Sequence, residues 1–311
     1  MPFNPRAIKA LLIDLSGTLH IGKELTPRAA EAVERLRNAG VPFLFCSNST
    51  KESEARLLGT LASLGLHASP GELLTSLGAC RLYVESRGLR PYLLLSPEAA
   101  EEFADLPSCA PAHDAVVVGL YPPAFSYDSL NTAFRVLKRE PLYSEPESSA
   151  RHVDEGHTGA TALSDPTPAP SGTATPTAPV LVAPHLSSFQ QNAANEAFPA
   201  GLSLGVGAYV RALASAASVD PVVVGKPSRG FFELALSRLG QTHGVQLDPH
   251  SVVIVGDDAV NDLGAGAIEL GLQRVLVRTG KYRPGSEETS PPPDAVYDSF
   301  ADLVDAILAS S

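Results

Sequence analysis

A doubly wound parallel α/β sheet carrying a second, inserted α/β domain is the architecture that this 311-residue chain predicts. Three observations predict it. Strand-like and helix-like patterns alternate at both ends of the chain, which calls for parallel strands joined by helical crossovers. Four apolar runs each stop in a short polar group. A long interval between the second and third of these stops carries strands and helices of its own.

The first run, Ile8 to Ile13, stops in Asp14-Leu15-Ser16-Gly17-Thr18. A carboxylate is thereby presented where a buried strand meets a glycine turn, and in open α/β sheets ligands bind beyond the carboxyl ends of the strands. In isolation, an aspartate that merely starts a turn reads the same way. Thr26 and Pro27 read as the N-cap and first residue of a helix that faces Val33 and Leu36 inward and ends before Gly40. The second run, Val41 to Cys46, stops in Ser47-Asn48-Ser49-Thr50, and a helix from about Lys51 to Leu64 follows with Leu57, Leu58, Leu61 and Leu64 on one face.

The interval 77–219 comes next, with strands at Tyr92–Leu95 and Ala115–Val118 and a helical stripe of Tyr127, Leu130, Phe134 and Leu137. An insertion of this length between strands that end in one crevice is a second domain able to close over that crevice. Within it, residues 144–179 are dominated by Ser, Pro, Thr, Ala and Gly and read as a disordered surface loop, because they offer little apolar surface to offset the entropy of ordering. His152, Asp154 and His157 lie there without a further ligand at a sensible spacing, so a solvated loop is the better reading than a metal site.

The third run, Val222 to Val224, stops in Gly225-Lys226-Pro227, and Ser228 caps a helix carrying Phe232, Ala235, Leu236 and Leu239 before Gly240. The fourth, Val252 to Val255, stops in Gly256-Asp257-Asp258, with Asp262 opening the next helix. Val275–Val277 reads as a strand, and Phe300, Leu303 and Ile307 form the apolar face of the last helix. The doubly wound core is therefore expected from residues 1–76 and 220–311, with 77–219 inserted.

Composition narrows the function. A formal charge of −11 and a pI near 5.2 exclude a non-specific partner such as nucleic acid or an acidic membrane surface. Cys46, Cys80 and Cys109 are odd in number and lack a CxxC pair, which suggests neither a disulfide framework nor a zinc site. The N-terminal apolar stretch is broken by Lys9 and Asp14, well short of the roughly 20 residues that a membrane span needs, so a cytoplasmic protein is expected.

DLSGT, SNST, GKP and GDDAVND stand in the order of the four signatures of the haloacid dehalogenase (HAD) phosphatases, which this chain resembles over nearly its whole length apart from the 144–179 loop. The long insert resembles the large C2-type α/β cap of the NagD-like subfamily. DLSGTLHIG, SNSTKES, VVVGKP, GDDAVNDLGAGA and VRTGKY are similar, more narrowly, to the group containing haloacid dehalogenase-like hydrolase domain-containing protein 2 and phospholysine phosphohistidine inorganic pyrophosphate phosphatase.

The resemblance implies a Rossmann-like HAD core and a phosphatase that uses Mg2+ and an aspartyl-phosphate intermediate. It implies Asp14 as nucleophile, with the metal held by Asp14, the backbone carbonyl of Ser16 and Asp257, and with Asp258 and Asp262 in support. Gly17, Thr18, Ser47 and Asn48 would surround the phosphoryl oxygens, and Lys226 would offset the charge of Asp14 and the phosphate together. The partner implied is a small phosphorylated substrate, with a homodimer formed through the cap.

Ser16 departs from the pattern, since many members carry a second aspartate there to protonate the leaving oxygen. A serine does not titrate near neutral pH. The substrates expected are those with good leaving groups, namely pyrophosphate, aryl phosphates or phosphoramidates. A second reading follows from the same serine: a weakly active or inactive homologue that serves as a phosphate-ligand binding or regulatory module. Dehalogenation and a receiver-type phosphoacceptor fit less well, the first because it leaves the Asp257/Asp262 pair without a counter-ion, the second because of the insert. Residues around Leu120-Tyr121-Pro122 and Gly201-Leu202-Ser203 are unranked candidates for substrate contact, and Gly205-Val206-Gly207 reads equally as a backbone approach to substrate, a hinge or a tight turn.

Overall fold

The computed structural model describes residues 3–106, 113–142, 178–192, 198–199 and 201–309. Cys109, His152, Asp154, His157 and nearly all of the 144–179 loop lie outside the described residues.

The first half of the chain runs β1 (Ala10–Asp14), β2 (His20–Ile21), β3 (Glu24–Leu25), α1 (Ala29–Asn38), β4 (Phe43–Ser47), α2 (Glu54–Ser63), β5 (Leu73–Thr75), α3 (Ser76–Ser86), β6 (Pro91–Leu94), α4 (Pro97–Ala100), β7 (Ala115–Val118) and α5 (Tyr127–Lys138). The second half runs β8 (Val180–Ala183), β9 (Phe189–Asn192), β10 (Gly201–Leu204), α6 (Val206–Ala217), β11 (Val222–Val223), α7 (Arg229–His243), β12 (Val252–Gly256), α8 (Ala265–Leu270), β13 (Gln273–Val277), β14 (Ala295–Tyr297) and α9 (Phe300–Leu308).

Six parallel strands make the larger sheet, in the order β14-β13-β12-β1-β4-β5. From β1 the chain winds outward through β4 and β5, then returns after the insertion to add β12, β13 and β14 on the other side. The winding reverses at β1, and a reversal of this kind opens a crevice beyond the carboxyl ends of the strands. Asp14 is the last residue of β1.

Both faces of this sheet are buried, which is why its strands read as unbroken apolar runs. Leu11, Ile13, Phe43, Phe45, Val253 and Val255 pack on one face against α1 and α9 residues such as Val33, Leu36, Phe300 and Leu303. The alternate residues Leu12, Leu44, Cys46, Val252 and Ile254 pack on the other against Phe231, Phe232, Ala235 and Leu239 of α7. The period of two sorts one strand between two helical layers.

A second, four-stranded parallel sheet has the order β11-β8-β7-β6. Leu94, Val116, Val118 and Leu181 pack there against α5 and α6, while Val117 and Val182 pack against Leu77, Cys80 and Val84 of α3. Ala79 of α3 belongs to the core cluster under α7, so α3 is shared by the two sheets and couples them.

Several boundaries differ from expectation. α1 starts at Ala29 behind a left-handed Arg28, because the Thr26 hydroxyl donates to the carbonyls of Thr18 and Leu19 rather than capping the helix. α2 starts at Glu54, capped by Ser53. α7 runs past Gly240 to His243 and is closed by a left-handed Gly244. Asp262 does not open a helix: α8 begins at Ala265, and Asp262 sits in the turn before it with its N–H on the Asp258 carbonyl at 2.9 Å. Val222–Val223, expected to lead the returning core segment, pairs instead with Val182–Ala183 in the smaller sheet, as the free edge of β8 accepts it in parallel register.

Gly205 and Gly207 have a packing explanation. A Cβ on either would overlap the carbonyls of Ser187 and Leu186, so these glycines let the 186–188 segment lie against the start of α6.

Gly225 stands where the chain leaves the smaller sheet for Lys226. Its N–H donates to the Pro184 carbonyl at 2.8 Å, and a Cβ there would overlap that oxygen and the Ser76 hydroxyl. Gly225→Ala is expected to destabilise the protein by about 2 kcal/mol, the usual cost of forcing extra volume into a packed site, read as a lower urea midpoint. An unchanged midpoint would mean that the 184–187 segment yields without cost.

Candidate active site

Neighbouring strands deliver the site. Asp14 ends β1 opposite Cys46 of β4, Asp257 follows β12 on the other side of β1, and Lys226 arrives from the end of β11. Lys226 has no solvent exposure. Its Nζ donates to Asp14 Oδ1 at 2.6 Å, to Asp262 Oδ1 at 2.8 Å and to the Cys46 carbonyl at 3.0 Å, which uses all three ammonium protons. Burial alone would depress this ammonium, but Asp14 and Asp262 outweigh burial and raise its pKa.

Asp14 is fixed through both oxygens, because the buried Thr18 hydroxyl donates to Oδ2 at 3.0 Å. Asp262 is likewise engaged: Oδ1 meets Lys226 and Oδ2 accepts the Asp258 N–H at 3.2 Å. Asp257 differs. Its Oδ2 accepts the Lys281 N–H at 2.6 Å, whereas Oδ1 is buried with no partner among the described residues.

Oxygens of Asp14, Asp257 and Asp262 lie within 4.8 Å of one another. Burial and the charges of Asp14 and Asp262 push the Asp257 carboxyl up to about 8. Burial and Asp14 push Asp262 up to about 6. A buried oxygen without a donor, inside a like-charged cluster, is the environment that a hard divalent cation relieves, and carboxylate oxygens are the ligands such a cation takes. The residues fit Mg2+.

Two glycines leave room for this cluster. Gly17 (φ +98°) and Gly280 (φ +54°) are left-handed, and a Cβ on either would overlap Asp257 Oδ2. Thr279 holds them together by donating its hydroxyl to the Gly17 carbonyl at 2.5 Å.

The remaining predicted residues fall around this centre in different ways. Ser47 is buried and its hydroxyl accepts the Ser49 N–H at 3.1 Å. Asn48 grips the Lys226 peptide from both sides: Oδ1 accepts the Lys226 N–H at 3.1 Å and Nδ2 donates to the Lys226 carbonyl at 3.2 Å. Ser76 also donates to Asn48 Oδ1. Asp258 is tied to the Asn261 amide at 2.8 Å and to Lys281 Nζ at 3.2 Å, outside the cluster of three. Ser16 is exposed, and its backbone bridges to His20. Of the cap candidates, Leu120 donates its N–H to Thr50 at 3.4 Å beside the second polar stop, while Leu202 is exposed on β10.

Thr279, Gly280 and Lys281 lie in the VRTGKY segment quoted for its resemblance, but no role was read for them from sequence. They form a fifth polar stop, after β13, and the rule that located the other four would have found them. Ser76 carried no comparable signal.

Comparison with known proteins gives the family. A haloacid dehalogenase-like hydrolase profile matches residues 11–107, and a HAD-hydrolase-like profile matches residues 223–303. Haloacid dehalogenase-like hydrolase domain-containing protein 2 from Homo sapiens is 37% identical over 304 residues, 97% of each chain. The chain belongs to the haloacid dehalogenase-like hydrolases. Phospholysine phosphohistidine inorganic pyrophosphate phosphatase from Danio rerio is another relative of this HAD-like hydrolase, 32% identical over 313 residues, covering 98% of this chain and 96% of that protein. In fold it is similar to 4-nitrophenylphosphatase from Thermotoga maritima, with a TM-score of 0.73 at 18% identity over 97% of this chain and 98% of that one. NagD from E. coli gives a TM-score of 0.69 at 19% identity, covering 95% and 98%.

The cluster predicts how this HAD-like hydrolase responds to pH without metal. Asp257 and Asp262 titrate near 3.8 when unfolded and higher when folded, so the folded state holds more protons between about pH 4 and 8. Their contribution to stability therefore falls as pH rises through that window. In EDTA, the drop in melting temperature from pH 5.5 to 8 is expected to be larger for the native chain than for Asp257→Asn, and Mg2+ is expected to raise it more at pH 8 than at 5.5. An equal metal effect at both pH values would count against Asp257 as a ligand.

Proposed function

We propose that this protein is a Mg2+-dependent phosphatase that hydrolyses a small phosphorylated substrate through an aspartyl phosphate on Asp14. The observation that carries the reading is the position of Asp14: at the winding reversal, held by Lys226 and Thr18, beside the partnerless oxygen of Asp257. A carboxylate oxygen of Asp14 forms the bond to phosphorus as the bond to the leaving group breaks. Water then attacks the same phosphorus, releasing orthophosphate and restoring the carboxylate.

Asp14, Asp257 and the Ser16 carbonyl would hold Mg2+, with Asp262 and Asp258 fixing Lys226 and the surrounding loop. Bound there, the ion would neutralise phosphoryl charge that otherwise repels the nucleophile. Lys226 lowers the charge on Asp14 and keeps it in one orientation. Asn48 keeps Lys226 in place, and Ser47, Gly17 and Thr18 line the space for the phosphoryl oxygens.

Ser16 supplies no titrating proton, and its exposure leaves it in water. The substrates this favours are pyrophosphate, phosphoramidates and aryl phosphates, since imidazole, with a free pKa of about 6.5, departs without help far more readily than an alkoxide. Relatives named for phospholysine, phosphohistidine and pyrophosphate support that range. A binding module without turnover is not favoured by the four engaged groups Asp14, Lys226, Asp257 and Asp262.

Loss of Asp14 as nucleophile sets the test. Phosphate release from pyrophosphate and p-nitrophenyl phosphate in Mg2+ is expected to fall by about 10³-fold or more in Asp14→Asn and to stop with EDTA. Ser16→Asp is expected to raise kcat/KM for alkyl phosphates by about 10²-fold, the usual yield of a placed general acid. Alkyl esters hydrolysed by the native chain as fast as pyrophosphate would refute the leaving-group argument.

The free cysteines Cys46 and Cys80 are buried, in keeping with a reducing, cytoplasmic setting. No helix among the described residues is long and apolar enough to cross a membrane. Pairing of two copies through the cap is proposed from the β9–β10 hairpin, where Leu204 lies opposite Phe189, Leu202 shares its side of the strand, and all three are exposed. Sedimentation is expected to show a dimer for the native chain and a monomer for Leu202→Glu; a native monomer would remove the pairing.

A further inference from the structure

We propose that Thr279 is a positioning residue for the metal site: through its hydroxyl on the Gly17 carbonyl it sets the affinity of that site for Mg2+. This rests on the reading of Asp14, Asp257 and the Ser16 carbonyl as the ligands. It goes beyond that reading by placing control of the affinity in a residue outside the ligand set.

Asp257 is the carboxylate whose aim is decided by one bond. The terminal torsion of an aspartate is broad, so a hydrogen bond at one oxygen determines where the other oxygen points. Asp14 and Asp262 each have both oxygens engaged. Asp257 has only Oδ2 engaged, on the Lys281 N–H at 2.6 Å, while its buried Oδ1 meets no partner among the described residues. The direction of Oδ1 therefore follows the Lys281 peptide.

That peptide belongs to the turn 279–281, which closes on itself as the Tyr282 N–H donates to the Thr279 carbonyl at 3.0 Å. Just before the turn, the Arg278 N–H donates to the Tyr297 carbonyl at 2.9 Å, tying the chain to β14 on the side away from β1. On the other side the Thr279 hydroxyl donates to the Gly17 carbonyl at 2.5 Å. Since β12 lies between β13 and β1, this bond carries the turn across the end of β12, where Asp257 stands, to the turn after β1. The two turns touch there, because a Cβ on Gly280 would fall 2.5 Å from the Gly17 Cα. Contact alone leaves them free to slide; the hydroxyl fixes their register.

The same bond bears on the second ligand. The Gly17 N–H donates to the His20 carbonyl at 2.7 Å, so with its carbonyl on Thr279 both peptides of Gly17 are held. The Ser16–Gly17 peptide is trans, and a trans peptide aims its carbonyl opposite to its N–H. The Ser16 carbonyl is thereby turned away from His20 and kept there. One hydroxyl thus sets the relation between Asp257 on β12 and the Ser16 carbonyl beyond β1.

The test reads metal binding as well as turnover. In calorimetric titration of the full chain with MgCl2, Thr279→Val, which keeps the shape and loses the hydroxyl, is expected to bind about tenfold more weakly, the usual yield of removing a group that orients a ligand. Thr279→Ser, which keeps the hydroxyl, is expected to restore the native affinity. With p-nitrophenyl phosphate, the Mg2+ concentration giving half the maximal rate is expected to rise by the same factor in Thr279→Val, while kcat at saturating Mg2+ returns close to the native value. A hydroxyl that only supports the fold would lower kcat at every Mg2+ concentration and leave the binding constant unchanged. Thr279→Ala, which lets water reach the freed Gly17 carbonyl, supplies the same comparison should Thr279→Val fold poorly.

Equal affinities of the native chain and Thr279→Val, or a Thr279→Ser as weak as Thr279→Val, would overturn the positioning role and leave the phosphatase reading in place. No turnover of any substrate, with the expected order of Mg2+ affinities, would remove the phosphatase and leave the positioning role. A native chain that takes up no Mg2+ would remove both.

Discussion

The Lys226 ammonium, buried between Asp14 and Asp262, is the interaction on which the rest of the structure depends. Taking an unpaired lysine out of water costs several kcal/mol, and that cost is recovered only when every proton finds a well-placed acceptor. Here the acceptors come from β1, from β4 through the Cys46 carbonyl, and from the turn before α8. Three segments distant in sequence are thus committed to one geometry by one cation. Asn48 extends the commitment by closing on both sides of the Lys226 peptide.

Charge counting explains what surrounds the lysine. Three carboxylates face one ammonium, and three minus one leaves two negative charges uncompensated when all are ionised. Two of the carboxylates are fully engaged by donors and the third, Asp257, retains an oxygen that meets nothing. The protein lowers this cost by keeping protons on Asp257 and Asp262 to higher pH, and a divalent cation bound there would carry a charge equal to the deficit. Gly17 and Gly280 belong to the same arrangement, because any side chain in their place would occupy the position of Asp257 Oδ2.

Much of this was legible in the sequence for one physical reason. A parallel strand buried on both faces must be apolar throughout, so the first polar residue after it marks the mouth of the crevice, and Asp14, Ser47 and Asp257 stand at such points, whereas Lys226 follows β11, a half-buried edge strand of the smaller sheet. The same rule covers the turn of Thr279, Gly280 and Lys281 after β13. Helix starts were misplaced where a polar side chain had two uses: Thr26 reads as a cap, but its hydroxyl is taken by the carbonyls of the Thr18–Leu19 turn. Asp262 reads as a helix opener, but its carboxylate is held by Lys226 and by the Asp258 N–H. Pairing outside the helix outranked local propensity in both cases.

The absence of a titrating group at Ser16 acquires its meaning from the opposite wall of the reaction. A phosphatase that handles alkyl esters needs an acid within reach of the leaving oxygen, ionised on one half of the cycle and protonated on the other. Serine cannot alternate in this way. His185, beside the turn that leads into Lys226, is held neutral by burial first and then by Lys281 and Lys226, so it is no ready acid either. What the residues do provide is fixed positive charge and oriented donors, which lower the energy of an anion as it forms but cannot convert it to an alcohol. Such a site accelerates the departure of groups that are stable as they leave, and a phosphate, which departs as an anion, matches that chemistry more closely than an alkoxide.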